Sequence, residues 1–174
     1  MFKFKEFFIN YNNMLYYLFD LDDTIVIHSP NRNDDMYDLK PDPCLQNLLN
    51  GLNNKSYIFT NGTYGHAEIV LNNMDLTNFK KIYARDTIPY MKPHIKSFEF
   101  VQKNILYQDY NTDVKNTFVF FEDTLENLRM AKKLGWITIW IHPQFNRGPM
   151  YSFVDYSFPN IYDALFKIMD LKFY

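Results

Sequence analysis

Cysteine, histidine and glycine are scarce in this chain of 174 residues. Cys44 is the only cysteine, which excludes an internal disulfide bond and favours a reducing compartment. The 4 histidines lie far apart and lack the spacing of zinc ligands. With only 5 glycines and 8 prolines, the sequence has little of the composition that is typical of linkers. We therefore predict a single domain over residues 1–174, with residues 1–13 as a loosely attached extension.

Long apolar runs and an excess of charge of one sign are also absent from the sequence. No segment approaches the roughly 20 apolar residues of a membrane-spanning helix, and Lys3, Lys5 and Glu6 interrupt the stretch where a signal peptide would be apolar. The 18 basic and 20 acidic residues leave a net charge of −2, so no overall field attracts nucleic acid or an anionic membrane. We expect a cytoplasmic protein with no membrane partner and no general affinity for nucleic acid.

Apolar residues are abundant, at 47% of the chain, and their periodicity predicts alternating strands and helices. Four short apolar runs are typical of buried strands, at residues 15–19, 57–59, 118–121 and 137–141. Helical spacing occurs at residues 44–52, 66–74, 94–105 and 125–134, and Gly135 marks the end of the last of these helices. Residues 153–158 and 161–169 are expected to add an edge strand and a closing helix.

Strands that alternate with helices indicate βαβ units and a mainly parallel sheet that is covered on both faces. The predicted fold class is therefore α/β, a Rossmann-like three-layer α/β/α sandwich. Residues 28–42 and 85–92 look irregular, and loops of this length in a compact domain are often functional. Cys44, in the first predicted helix, is expected to fill space in the core.

Polar residues directly follow three of the predicted strands, where ligands bind in open parallel sheets. These residues are Asp20-Leu21-Asp22-Asp23-Thr24, Thr60-Asn61-Gly62-Thr63 and Glu122-Asp123-Thr124. We expect Asp20, Asp22, Glu122 and Asp123 to converge, and two carboxylates about 4 Å apart repel each other by about 4 kcal/mol at an effective dielectric constant of about 20. A divalent cation offsets this repulsion, and the absence of clustered cysteine or histidine favours Mg²⁺ over Zn²⁺.

The same residues are complementary to a phosphate ester. The hydroxyl of Thr60, the loop amides of Asn61 and Gly62 and the ammonium of Lys92 can bind phosphate oxygens beside the metal. A metal-bound Asp20 stays ionised at neutral pH and can attack phosphorus to form an aspartyl-phosphate. Asp22, two residues later, points the same way if the strand geometry persists, so it can act as the general acid and base.

The chain resembles the haloacid-dehalogenase-like (HAD) hydrolase superfamily in four motifs. Its first motif, a hydrophobic residue followed by Asp-x-Asp-x-Thr, is matched by Phe19-Asp20-Leu21-Asp22-Asp23-Thr24. The second, a hydrophobic strand that ends in Thr or Ser, is matched by Ile58-Phe59-Thr60-Asn61, and the third by Lys92-Pro93. The fourth, an acidic pair after a strand, is matched by Phe121-Glu122-Asp123-Thr124.

The resemblance implies a role for each matched residue. Asp20 would be the nucleophile and a metal ligand, and Asp22 would be the acid and base, with its carbonyl oxygen on the metal. Thr60 and Lys92 would bind the phosphate. The resemblance also implies that Asp123 binds Mg²⁺ directly and that Glu122 acts on it through water.

Within the superfamily, the chain is most similar to the pyrimidine 5′-nucleotidase branch, which hydrolyses nucleoside monophosphates. The similarity lies in Thr60-Asn61 with His66, in Lys92-Pro93-His94, and in Glu122-Asp123-Thr124 with Asn127. Those enzymes carry a helical cap between the first two motifs, whereas only about 40 residues separate Asp20 from Thr60 here. A loop at residues 28–42 is expected in place of the cap, which leaves both small and macromolecular phosphate esters open as substrates.

Other functions are distinguished by particular residues. A receiver domain would carry its phosphorylated aspartate after a later strand, and a dehalogenase normally lacks the carboxyl group of Asp22. A phosphomutase needs a cap, and none is visible. A phosphate-binding module without catalysis stays open as an alternative, although Asp20, Asp22, Lys92 and Asp123 are all present.

Several further polar residues have structural interpretations beside functional ones. His66 is more often a structural histidine than a substrate contact. Thr63, Thr124 and Asn127 can simply cap or brace helix N-termini. On the loop in place of the cap, His28 and Arg32 are more often solvated than ligand-bound, although Arg32 and Tyr37 are placed to meet a nucleobase.

Overall fold

The computed structural model describes residues 13–27, 38–52, 55–109 and 115–172. Its centre is a six-stranded sheet in the order β3-β2-β1-β4-β5-β6, and every neighbouring pair is parallel. The strands are β1 (Asn13–Phe19), β2 (Ser56–Phe59), β3 (Phe79–Tyr83), β4 (Lys115–Glu122), β5 (Ile137–Ile141) and β6 (Tyr156–Phe158). The predicted α/β class is confirmed, and the sheet is entirely parallel in these residues.

Helices follow the strands at the predicted places, with ends that differ by a few residues. They are α1 (Pro43–Asn50), α2 (Tyr64–Asn73), α3 (Ile95–Asp109), α4 (Leu125–Lys133) and α5 (Ile161–Lys172), with a 3₁₀ helix at Phe145–Met150. The Asp42 carboxylate accepts a bond from Leu45 N at 2.9 Å and so caps α1. Gly135 lies just beyond α4 with a φ of +77°, a left-handed conformation that glycine adopts without strain.

The two edge strands were the hardest to predict. Strand β3 was missed because Lys80 and Lys81 interrupt its apolar residues, and only Tyr83 is fully buried. Strand β6 is limited to Tyr156–Phe158, half of the predicted segment, and all three residues are half-buried. Strands at the edge of a sheet are less enclosed than central ones, so their sequence pattern is weaker.

The sheet packs two different cores against its faces. On one face, α1, α2 and α5 supply mainly aliphatic side chains, such as Leu45, Val70 and Leu165. On the other face, α3 and α4 cover a mainly aromatic core that includes Phe98 and Trp136. The three-layer arrangement is thereby confirmed.

Cys44 contradicts its prediction, because the side chain is exposed and does not fill the core. It lies in the first turn of α1, whose buried stripe is formed by Leu45, Leu48 and Leu49. A residue one position before this stripe is turned by about 100° away from it.

Some predictions fall outside the described residues. Residues 1–12 of the expected extension lie outside them, whereas Asn13 is the first residue of β1. Residues 28–37 of the expected loop also do so, and with them His28, Arg32 and Tyr37. Residues 38–42 of that loop contain no helix or strand. In the part of the chain that the structure describes, no helix is long and apolar enough to cross a membrane.

Candidate active site

Three predicted acidic residues meet at the carboxyl edge of the sheet. Strands β1 and β4 pair with Phe19 opposite Phe121, so the next residues, Asp20 and Glu122, are brought side by side. A bond of 2.9 Å from Asp20 N to the Phe121 carbonyl continues the ladder past the strand end. Oxygen atoms of Asp20, Glu122 and Asp123 all lie within 4.8 Å of one another.

Lys92 is buried between two of these carboxylates. Its Nζ donates to Asp20 Oδ1 at 2.8 Å and to Glu122 Oε2 at 2.6 Å. The ammonium lies 5.1 Å from the Phe59 ring centre and 5.2 Å from that of Phe120, so aromatic faces form its floor. A buried charge needs such partners, and here two anions and two rings supply them.

Burial and mutual repulsion perturb the acids. Burial, followed by repulsion from Glu122, raises the pKa of Asp20 to about 7 against the opposing charge of Lys92. Burial also raises the pKa of Glu122 to about 7, although Lys92 lowers it, and raises the pKa of Asp123. Burial lowers the pKa of Lys92, but the two carboxylates raise it above its ordinary value overall. One ammonium therefore does not neutralise three carboxylates, and a further cation would stabilise their ionised forms.

The donor set fits Mg²⁺. The cluster offers carboxylate oxygens and contains no sulfur or imidazole, as a hard cation prefers. Both oxygens of Glu122 already have partners, because Oε1 accepts from Thr124 N at 3.1 Å and Oε2 from Lys92. Asp20 and Asp123 are thus better placed than Glu122 to bind a metal directly. Trp140 Nε1 donates to the Asp123 carbonyl at 2.7 Å and so holds the backbone there.

Asp22 lies on a tight turn after β1 and has a different partner. Asp23 has a φ of +58°, and the amides of Ile25 and Val26 both donate to the Leu21 carbonyl, at 2.9 and 3.0 Å. The Asp22 carboxylate is outside the three-acid cluster, and its Oδ1 lies 2.8 Å from His66 Nε2. Its predicted metal contact would therefore use the backbone carbonyl.

The loop after β2 carries Thr60 and Asn61, and it contacts the backbone of Lys92. The buried Thr60 donates its amide to the Tyr83 carbonyl and accepts from Gly62 N at its hydroxyl, both at 2.9 Å. The Asn61 amide group donates to the Lys92 carbonyl at 2.9 Å and accepts from Lys92 N at 3.0 Å. The side chain of Asn61 thus positions Lys92. The predicted contact of Asn61 with phosphate would therefore come from the backbone amide of Asn61.

Sequence reasoning missed the bond from His66 to Asp22 and the pairing of Asn61 with Lys92. Both join loops that are distant in sequence, by 44 and 31 residues, and no local pattern marks such pairs. The side chain of Thr63 caps α2, as expected, by accepting from His66 N at 3.2 Å. Thr124 occupies the cap position of α4, but its side chain makes no capping bond.

Comparisons with known proteins agree with the fold. No protein-family model and no curated protein matches the sequence. Among solved structures, L-2-haloacid dehalogenase from Xanthobacter autotrophicus, with chloropropionic acid covalently bound, is 18% identical, with a TM-score of 0.56 over 76% of this chain and 63% of that one. Magnesium-bound YfnB from Bacillus subtilis, assigned as a HAD hydrolase, is 19% identical, with a TM-score of 0.55 over 71% of this chain and 52% of that one.

A third structure differs from these two in length. It is an uncharacterized protein from Listeria monocytogenes serotype 4b, 17% identical, with a TM-score of 0.57 over 92% of this chain and all of that one. This chain spans less than two thirds of the dehalogenase and about half of YfnB. Together with the parallel sheet and the acidic cluster at its edge, these similarities show that the chain has the HAD-like fold.

Proposed function

We propose that the protein is a Mg²⁺-dependent hydrolase of phosphate monoesters that uses Asp20 as its nucleophile. The observation that carries the proposal is the second carboxylate, Asp22, which lies two residues after Asp20 and has its own anchor in His66. A dehalogenase normally lacks this carboxyl group, whereas transfer of a phosphoryl group to Asp20 needs an acid for the leaving oxygen. The acidic cluster beside Lys92 supports the same conclusion.

The two half-reactions balance with these residues. A carboxylate oxygen of Asp20 attacks phosphorus, the bond from phosphorus to the ester oxygen breaks, and Asp22 gives its proton to that oxygen. Asp22 then accepts a proton from water as the water attacks the aspartyl-phosphate. The bond from phosphorus to Asp20 breaks, and inorganic phosphate leaves.

Two side chains would bind the phosphate oxygens. An ammonium has three hydrogens, and Lys92 donates two of them to Asp20 and Glu122, so the third can go to the phosphate. Thr60 lies at the end of the neighbouring strand β2 and offers its hydroxyl. Mg²⁺, held by Asp20, Asp123 and the carbonyl of Asp22, would neutralise the charge that develops on phosphate.

The proposed substrate is a phosphate ester that can bind without an enclosing cap. Nucleoside monophosphates, the substrates of 5′-nucleotidases, are the first candidates. The chain between Asp20 and α1 is short. Its described residues, 20–27 and 38–42, contain no helix or strand apart from an isolated bridge, and the segment that joins them, 28–37, has only ten residues. An open mouth admits nucleoside monophosphates and also bulkier nucleic-acid ends or phosphoproteins, but adds little binding energy beyond the phosphate.

The activity test compares two chemistries on one protein. With Mg²⁺ the protein should hydrolyse 4-nitrophenyl phosphate, lose this activity with a chelator, and release no chloride from chloropropionate. Release of chloride without phosphatase activity would overturn the proposal. Comparing kcat/KM on UMP, CMP, AMP, a sugar phosphate and a phosphopeptide then tests whether the site is open. A strong preference for one small metabolite, with a sub-millimolar KM, would contradict an open site.

The role of Asp22 has its own test. Asp22→Asn should lower kcat/KM, which reports only the steps up to the aspartyl-phosphate, by about 10²–10⁴-fold on an alkyl phosphate, because the leaving alkoxide then departs without a proton. The loss on 4-nitrophenyl phosphate should be much smaller, because nitrophenolate is a stable anion. Equal losses on both esters would contradict the role of Asp22 as the acid.

A further inference from the structure

One contact at the site joins the expected acid to a histidine from a different element. His66 Nε2 lies 2.8 Å from Asp22 Oδ1, and the imidazole is only 11% exposed. The histidine lies in the first turn of α2, and its amide donates to the capping hydroxyl of Thr63 at 3.2 Å. The ring is therefore held on a capped helix, whereas Asp22 lies on a turn.

The chemistry of the two groups determines which one donates. An ionised carboxylate has no hydrogen, so the hydrogen must lie on Nε2 of the histidine. When Asp22 carries a proton on Oδ2, its Oδ1 still accepts the same bond. The contact can therefore persist through a catalytic cycle, with Oδ1 anchored and Oδ2 as the oxygen that gives and takes the proton.

An anchor matters at this position because the Asp22 side chain is 32% exposed. A solvated carboxylate on a turn samples several rotamers, and fixing one of them costs conformational entropy. A general acid must lie within hydrogen-bond reach of the leaving oxygen, and a displacement of about 1 Å can cost about 10²-fold in rate.

A glycine makes room for this pair. A Cβ atom at Gly62 would lie 2.9 Å from His66 Cδ2 and 3.5 Å from Asp22 Oδ2. The first distance is shorter than ordinary contact, so any side chain at position 62 would press against the imidazole. Gly62 also donates its amide to Thr60 Oγ1 at 2.9 Å, which connects the pair to the proposed phosphate ligand.

We propose that His66 is the positioning residue of the general acid: it holds Asp22 Oδ1 so that Oδ2 faces the leaving group. The inference rests on the proposed phosphatase function for its kinetic consequence, but the bond itself exists independently of any substrate. His66 acts through Asp22 and does not touch the reacting atoms.

The kinetic test uses three variants. His66→Phe keeps an aromatic ring without the donor, His66→Gln restores an N–H donor, and Glu68→Gln is a matched control on the exposed side of α2. We expect His66→Phe to lower kcat/KM, which reports only the steps up to the aspartyl-phosphate, by about 10–100-fold on an alkyl phosphate and by less than about 3-fold on 4-nitrophenyl phosphate. His66→Gln should recover most of the loss, and Glu68→Gln should match the parent protein. Equal losses on both esters, or no rescue by glutamine, would overturn the inference.

Coupling gives a second kinetic readout. In the Asp22→Asn background, His66→Phe should have little further effect on the alkyl phosphate, because the group that it positions no longer carries a proton. If the two substitutions were fully additive, His66 would act by another route.

Nuclear magnetic resonance of the histidine rings tests the bond without any activity. In the parent protein, His66 should carry a hydrogen on Nε2 whose resonance is shifted downfield and protected from exchange by the bond to Asp22, and Asp22→Ala should abolish both effects. A His66 ring with an unprotonated Nε2 would overturn the inference even in an active enzyme. A protein with this bonded Nε2 hydrogen and no phosphatase activity would instead contradict the proposed function alone.

Discussion

The sheet carries a lysine–carboxylate contact at each of its two ends, and the two contacts have different surroundings. At the amino end, Lys55 Nζ lies 2.5 Å from Asp109 Oδ2 and 5.1 Å from the ring centre of Tyr16. At the carboxyl end, Lys92 contacts two carboxylates and lies over two aromatic rings. The side chains of Lys55 and Asp109 are 21% and 16% exposed, whereas those of Lys92 and Glu122 are 1% and 0% exposed.

The difference shows what burial adds to the same kind of contact. The amino-end pair is partly exposed, so water weakens its attraction, and Lys55 offsets the charge of its single acid. At the carboxyl end there are three acids and one base, and water is largely excluded. The excess negative charge is costly there, which suits the site to a divalent cation and a phosphate.

The largest difference is expected in catalysis. Asp20→Asn keeps the shape of the side chain but removes the nucleophilic charge, so phosphatase activity should fall by several orders of magnitude. Asp109→Asn removes a carboxylate from the amino end and should leave the activity within about twofold. The measurement is kcat/KM on 4-nitrophenyl phosphate with Mg²⁺. An Asp20→Asn enzyme with parental turnover would disprove the role of Asp20.

The two lysines should also differ in how much they contribute to the free energy of unfolding. In metal-free protein, Lys92→Met leaves the buried acids without their cation and should lower the free energy of unfolding by about 3 kcal/mol. Lys55→Met breaks a partly exposed pair and should cost about 1 kcal/mol or less. Urea titration measures both. Similar losses for the two variants would show that burial does not set the strength of these contacts.

Mg²⁺ should stabilise the protein by slightly less than the loss expected for Lys92→Met, and the stabilisation should depend on pH. At a concentration about 100-fold above its Kd, the ion should add about 2.7 kcal/mol to the free energy of unfolding. Because Asp20 and Glu122 have pKa values raised to about 7, protons compete with the metal below that pH. Affinity should therefore rise with pH through about 7, with release of protons on binding.

Calorimetry at several pH values, in buffers of different ionisation enthalpy, measures this linkage. Asp109→Asn is the control, because its acid lies at the other end of the sheet and should not alter the affinity for Mg²⁺. An affinity that stays constant between about pH 6 and about pH 8 would contradict the raised pKa values.

Much of the fold was predictable because its central strands are buried on both sides. Residues 15–19, 57–59 and 118–121 are nearly continuous apolar runs, and the structure places strands there. The half-buried β3 was missed for the opposite reason, since a strand with one open edge needs no such run. Cys44 was misjudged because one position along a helix decides whether a side chain faces the core or solvent.

The strand pattern alone is sufficient to predict which residues reach the carboxyl edge of the sheet. Asp20, Thr60 and Glu122 each directly follow or end a buried strand, and in a parallel sheet such residues share one edge. No local pattern predicts that Lys92 lies between Asp20 and Glu122, or that His66 anchors Asp22, because these contacts depend on how the folded loops pack. These partners lie 30 to 72 residues apart in the chain, and their distances and burial arise from how loops pack on the finished sheet, which local sequence does not encode.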